Sequence, residues 1–208
     1  MNNERSEESA VVNDIRTMRE EGLAKHFEEA RRRLQKVIHF RLDYRLRGRV
    51  SESDVLQETY VRAAKHIDRF LDNDIPFFVW LRLEASQRLQ EIHRQHLEAE
   101  KRDVRKEIKL LRPNCGGQTS IALAAHLVAQ MTSVSQLIEK AEQINALEVT
   151  LQEMNEMDRE VIALRNFEEL SNIETADVLG IDPAAASKRY VRALKRLKEI
   201  FESHQLGK

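Results

Sequence analysis

Apolar residues recur at near-helical spacing through most of the chain. In "LAKHFEEARRRLQKVIHFRLDYRL" the positions Leu23, Phe27, Leu34, Val37, Ile38 and Leu42 fall on one face, which predicts a helix ending at Gly48. The stretch before it, residues 1–22, is polar and acidic and is expected to be a tail. "SESDVLQETYVRAAKHIDRF" predicts a second helix, with Ser51 and Asp54 at capping-box separation and Val55, Leu56, Thr59, Ala63 and Ile67 in one stripe. "LDNDIP" interrupts the pattern, because Asn, Asp and a following Pro disfavour continuous helix. Helical spacing resumes in "FFVWLRLEASQRLQEIHRQHLEAEKRDVRKEIKLL", apolar at Phe77, Trp80, Leu81, Leu83 and Leu89. It then turns to interleaved Glu and Arg/Lys, as in a helix leaving a core for solvent, and "RPNCGG" stops it.

Residues 118–136 are small and uncharged apart from His126, the composition of a linker, with Ile121 to Met131 able to form a short apolar helix. That segment is either a flexible tether or a helix docked in the free protein. Two helices are predicted from Gln136 onward, followed by "LSNIETADVLGIDPAAASKRYVRAL". There Ser171 and Glu174 have capping-box spacing, Ile173, Ala176 and Leu179 face inward, and Gly180 suits the left-handed turn between two helices. Asp182 caps the second of these, with Pro183 in its first turn, where a missing N–H costs nothing. Ala186, Tyr190, Leu194 and Leu197 form its apolar stripe, while Ser187, Lys188, Arg189, Arg192, Lys195 and Arg196 occupy the rest. A short capped helix followed by a basic one is the pattern of a helix-turn-helix unit whose second helix enters the major groove. The alternative is a solvated basic face on an ordinary helical hairpin.

Composition agrees with an all-α chain. Charged residues are 33% and aromatic residues 5% of 208 residues, with few Gly or Pro. No window approaches the roughly 18 apolar residues of a membrane span, and the single Cys115 excludes an internal disulfide, so a cytoplasmic protein is expected. The net charge of -1 conceals blocks: the first 30 residues lean acidic, Arg31 to Arg49 is basic, and Glu142 to Asp177 is acidic. From Pro183 to Lys198 there is no acid at all. Net charge is therefore a poor guide to the field at this last helix.

The C-terminal stretch "LQEMNEMDREVIALRNFEELSNIETADVLGIDPAAASKRYVRALKRLK" resembles the promoter-reading domain of the extracytoplasmic-function branch of sigma-70 family factors. "SESDVLQETYVRA" and "FFVWLRLEASQRLQEIHR" are similar to helices of that family's N-terminal domain, so the likeness spans Arg31 to Arg112 and Thr150 to Phe201. It implies two small helical domains joined by a linker: an N-terminal tail over 1–22, a domain over 23–112 that binds core RNA polymerase and the −10 element, a linker over 113–140, and a helix-turn-helix domain over 141–208 that reads the −35 element. By resemblance, Asp54, Gln57 and Glu58 contact polymerase, Asp72, Asn73 and Gln87 hold an unstacked base, and Arg88 and Arg94 meet phosphate. Ser187, Lys188, Arg189, Arg192 and Arg196 face duplex DNA, with Arg189 and Arg192 mainly at phosphates and room for one base contact between them. The implied partners are RNA polymerase core, through its clamp helices and flap, and promoter DNA, with room for an anti-sigma factor that the sequence does not identify. No enzymatic activity, catalytic residue, metal or cofactor is implied. The chain departs from the family pattern at Gln87 for Asn, at Glu91 for Asp, and in the inverted order Ser187-Lys188, which changes the base edge each side chain reaches.

Other residues have duller readings. His93, His96 and Glu100 share a helical face but lack a fourth ligand. Cys115 has only Arg112 nearby to activate it. Arg31 to Arg33 form either a solvated face or a backbone contact, and Trp80 belongs to a core. Two further functions fit the chain less fully: a free-standing dimeric helix-turn-helix regulator, which leaves Asp54, Gln57 and Glu58 without a role, and a helical adaptor whose basic helix binds an acidic protein.

Overall fold

The computed structural model describes residues 2–43, 46, 48–95, 123–127 and 137–206, all of whose regular elements are helical. The chain divides into two compact units, Met1–Leu111 and Arg112–Lys208.

The first unit begins with a helix where a tail was expected. Helix α1 (Asn2–Met18) doubles back at Arg19 onto α2 (Glu20–Arg41). Arg19 takes a left-handed φ of 53° at the reversal, and Ile15 and Leu23 are fully buried beside it. Gly22 permits the close approach: a Cβ there would lie 2.7 Å from the Asp14 carbonyl oxygen. Polar contacts complete the docking. The Asp14 carboxylate is 2.8 Å from Lys25 Nζ and 2.9 Å from His26 Nε2, while Arg19 reaches Asp68 at 2.7 Å. The Glu8 carboxylate accepts the backbone N–H of Phe77, an otherwise unpaired donor at the start of a later helix.

Helix α2 ends at Arg41, ahead of the expected Gly48. Leu42 turns to extended backbone (φ -71°, ψ 119°), and both Leu42 and Leu46 are buried, so the chain leaves the helix to bury these leucines. Helix α3 (Glu52–Lys65) starts at Ser51, whose Oγ accepts from Ser53 N at 3.2 Å; the expected partner Asp54 is not used. Its stripe is as expected, with Val55, Leu56, Thr59 and Ala63 buried and Ile67 continuing into the short α4 (Ile67–Leu71). After the 72–76 break, α5 (Phe77–His93) buries Phe77, Phe78, Val79, Trp80 and Leu81 in succession, while Leu83 and Leu89 are half-buried. Trp80 is a core residue, stacked on Phe70 at 4.6 Å and 22°, with Phe77 against both. Arg33 covers Phe78 at 3.7 Å and Arg31 pairs with Glu28 at 3.0 Å, so two of the three consecutive arginines have partners within the unit. His96, Glu100 and Cys115 lie outside the described residues.

The second unit holds a helical turn over 123–127, then α6 (Leu137–Glu153), α7 (Glu156–Ile162), α8 (Asn172–Leu179) and α9 (Pro183–Leu206). Part of the expected apolar segment is therefore helical: Leu123 and Ala124 are buried, and His126 meets the Asn166 carbonyl at 2.9 Å and the Phe167 ring at 4.8 Å. Asn155 caps α7, and α7 passes into a wider π turn over Ala163–Phe167. Leu151, Val161, Ile162, Leu164, Ala176, Val178, Ala186 and Ala193 form the core.

Candidate nucleic-acid interface

In the second unit the sequence encodes the turn in full. Ser171 Oγ accepts from Glu174 N at 3.2 Å while the Glu174 carboxylate accepts from Ser171 N at 2.7 Å, a reciprocal capping box. Gly180 takes φ 65°, ψ 39°, and Ile181 N closes the helix end on the Ala176 carbonyl at 3.1 Å. Asp182 Oδ1 accepts from Ala185 N at 2.9 Å, and Asn172 Nδ2 bonds the Pro183 carbonyl at 2.7 Å, tying the two helix starts together. Both ends of a rigid helix-turn-helix are thereby satisfied.

Helix α9 then divides into three faces. Ala186 and Ala193 are buried, with Tyr190, Leu194 and Leu197 half-buried, and the Tyr190 hydroxyl donates to Asn166 Oδ1 at 3.1 Å. On a second face, Arg189 and Arg196 both reach one carboxylate: Asp158 lies 3.4 Å from the first and 2.9 Å from the second, with only 8% of its side chain exposed. Asn155 Nδ2 completes its shell at 2.6 Å. A carboxylate this buried needs such partners, so these two arginines hold α9 to α7 whatever else they contact. The third face is open. Ser187, Lys188, Arg192 and Lys195 are exposed there.

In the first unit, Asp54 and Gln57 stand exposed on α3, and Glu58 is half-exposed. Glu58 and Arg88, expected to face different partners, bond each other: Arg88 Nε donates to one Glu58 oxygen and Nη2 to the other, the second at 3.1 Å. This hydrogen bond, acting against the opposing effect of burial, holds the Arg88 proton more firmly than usual. Arg62, which sequence reasoning missed, is the hub beside this pair. It donates to Glu84 at 3.2 Å, to Glu91 at 2.8 Å and to Gln87 Oε1 at 2.8 Å, and Glu84 also meets His66 at 2.9 Å. The signal was present as Glu58 and Arg62 four apart on α3 and Glu84, Arg88 and Glu91 at helical spacing on α5. Reading it requires knowing that the two helices are neighbours. A guanidinium only donates, so Arg62 occupies the Gln87 carbonyl and not its NH₂. Asp72 and Asn73 are exposed on the loop, Asn73 Nδ2 bonding the Arg69 carbonyl at 2.6 Å, and make no hydrogen bond to Gln87, Arg88 or Arg94. Arg94 is exposed at the end of α5.

The second unit is a helix-turn-helix of known type: residues 144–197 match the family "Sigma-70, region 4". The chain is also similar to the ECF RNA polymerase sigma factor SigW of Bacillus subtilis (strain 168), with 25% identity over 162 residues covering 77% of this chain and 81% of that protein. In fold it is similar to CnrH, solved in complex with the cytosolic domain of CnrY, at a TM-score of 0.51 and 19% identity over 94% of this chain and 97% of that one. Residues 144–197 thus carry the sigma-70 region 4 match, and most of the chain is similar to an extracytoplasmic-function sigma factor. Among the described residues no helix is long and apolar enough to cross a membrane.

Proposed function

We propose that this chain joins core RNA polymerase and directs it to promoters, with α9 reading the −35 element and the first unit opening the −10 element. The observation that carries the reading is α9 itself, a capped recognition helix with an open basic face inside a matched region 4. Asp54, Gln57 and Glu58 face polymerase, through its clamp helices, and the second unit meets its flap. Asp72, Asn73, Gln87, Arg88 and Arg94 serve the separated strand. Holding an unstacked base means offsetting about a few kcal/mol per opened step, which a loop beside a hydrogen-bonding side chain is suited to do. With its carbonyl held by Arg62, Gln87 offers its NH₂ as a donor and so favours a base edge that accepts. The chemistry belongs to the polymerase, and the chain acts as a non-enzymatic specificity subunit in the cytoplasm. CnrH was solved with the cytosolic domain of CnrY, and an analogous anti-sigma partner for this chain fits the same reading.

The test is capture of purified chain by bacterial core RNA polymerase, comparing wild type with an Asp54→Ala, Gln57→Ala double variant. Both residues are exposed, so the fold should survive the change. Stoichiometric capture that the variant loses supports the proposal. A wild type that ignores polymerase but binds an inverted-repeat duplex as a dimer would replace it with the free-standing regulator.

A further inference from the structure

Of the large apolar side chains that stand exposed among the described residues, Val191 is the most open, at 62%, against 49% for Val61, 42% for Val149 and 40% for Met18. Its place on α9 gives that exposure a meaning. Ala184, Lys188, Val191 and Lys195 follow one another at spacings of four, three and four, which is a straight stripe along a helix. Ser187 and Arg192 flank it. The anchoring of Arg189 and Arg196 on Asp158 fixes the rotation of the helix about its axis, so this stripe and no other is presented outward. It contains no acid, and its cations lie on either side of a single apolar group.

We infer that Val191 is a sequence-reading residue that packs against the 5-methyl group of a thymine in the major groove. The inference rests on the promoter-binding reading of α9. Thymine's methyl is the one apolar group that the bases present in that groove, so a valine held among phosphate-seeking cations matches it and no other base edge. A β-branched side chain in a helix has one strongly preferred χ1, so its methyls are already placed and little freedom is lost on contact. Val191 lies in the N-terminal half of α9, the part of a recognition helix that reaches base edges. Lys188 and Arg192 beside it supply the sequence-independent grip.

The experiment uses holoenzyme assembled from core polymerase and the full chain. Wild-type holoenzyme first selects duplexes from a randomised upstream element. Each thymine of the selected element is then replaced singly by deoxyuridine, which removes only the methyl, and affinity is measured for wild type and Val191→Ala. The expected result is one thymine at which loss of the methyl weakens wild type about three- to five-fold, the value of one buried methyl-sized group, while the alanine variant is insensitive there. Circular dichroism of the variant should match wild type because the side chain is exposed. A selected element without such a thymine, or equal sensitivity in both proteins, overturns the role of Val191 while leaving promoter reading intact. Failure of wild type to select any upstream element overturns both.

Discussion

Asp158 illustrates how one side chain decides the availability of others. Its carboxylate is buried and bridges Arg189 and Arg196, so two of the five cations and hydroxyls expected at DNA are also structural. We expect Asp158→Ala to destabilise the protein by about 1–3 kcal/mol, less than a fully buried pair because both arginines are half-exposed. A urea unfolding curve checks this, and a change within error would show the bridge to be idle. The same reasoning applies to Glu58. Its two-point bond to Arg88 neutralises a cation expected to meet phosphate. Glu58→Gln should therefore raise the affinity of the isolated chain for single-stranded DNA and steepen its salt dependence by about 0.7 in log–log slope, one added phosphate contact. An unchanged slope would place Arg88 away from the nucleic acid.

Among the elements, the α8–α9 turn was legible in the sequence and α1 was not, for a physical reason. Caps, a left-handed glycine and a first-turn proline are local chemistry, and the caps formed the bonds their spacing implied. Helix α1 carries few apolar residues, Ala10, Val11, Val12, Ile15 and Met18, too little to specify a helix without the partner surface of α2. Its docking depends on Gly22, where Gly22→Ala would drive a methyl against backbone 2.7 Å away. The expected cost is about 1–3 kcal/mol, seen as a lower thermal midpoint and faster amide exchange in α1. Asp14 adds a pH dependence. Hydrogen bonds from Lys25 and His26 hold its carboxyl below the usual carboxylate range, so its contribution is present at neutral pH and is lost as pH falls through that lowered value. Wild type should lose thermal stability on acidification below about pH 4, and Asp14→Asn should lose less over the same range. Identical acid profiles would dismiss the contact.

Over the whole molecule, charge of both signs is arranged so that the total says little. A net charge of -1 coexists with an acid-free stretch from Pro183 to Lys198. The acidic stretches at the N-terminus and over Glu142 to Asp177 should hold the free chain to weak duplex binding, with Kd no tighter than about 10⁻⁶ M at physiological salt. Within holoenzyme the same promoter should bind far more tightly. Tight promoter binding by the isolated chain, measured by fluorescence anisotropy at physiological salt, would refute this view of the acidic segments.

By itself the sequence determined the all-helical character, most helix starts, the turn before α9 and the basic nature of that helix. These follow from spacing and capping within a few residues of chain. The kind of protein was also legible, through motifs that lie within single helices. The tertiary structure alone decided that residues 2–18 dock as a helix, that Arg62 organises the α3–α5 face, that the Gln87 carbonyl is taken up by Arg62, and that Asp158 anchors Arg189 and Arg196 and leaves Val191 open. Each of those depends on which residue of another helix lies within about 3 Å, and a one-dimensional pattern carries no such distance.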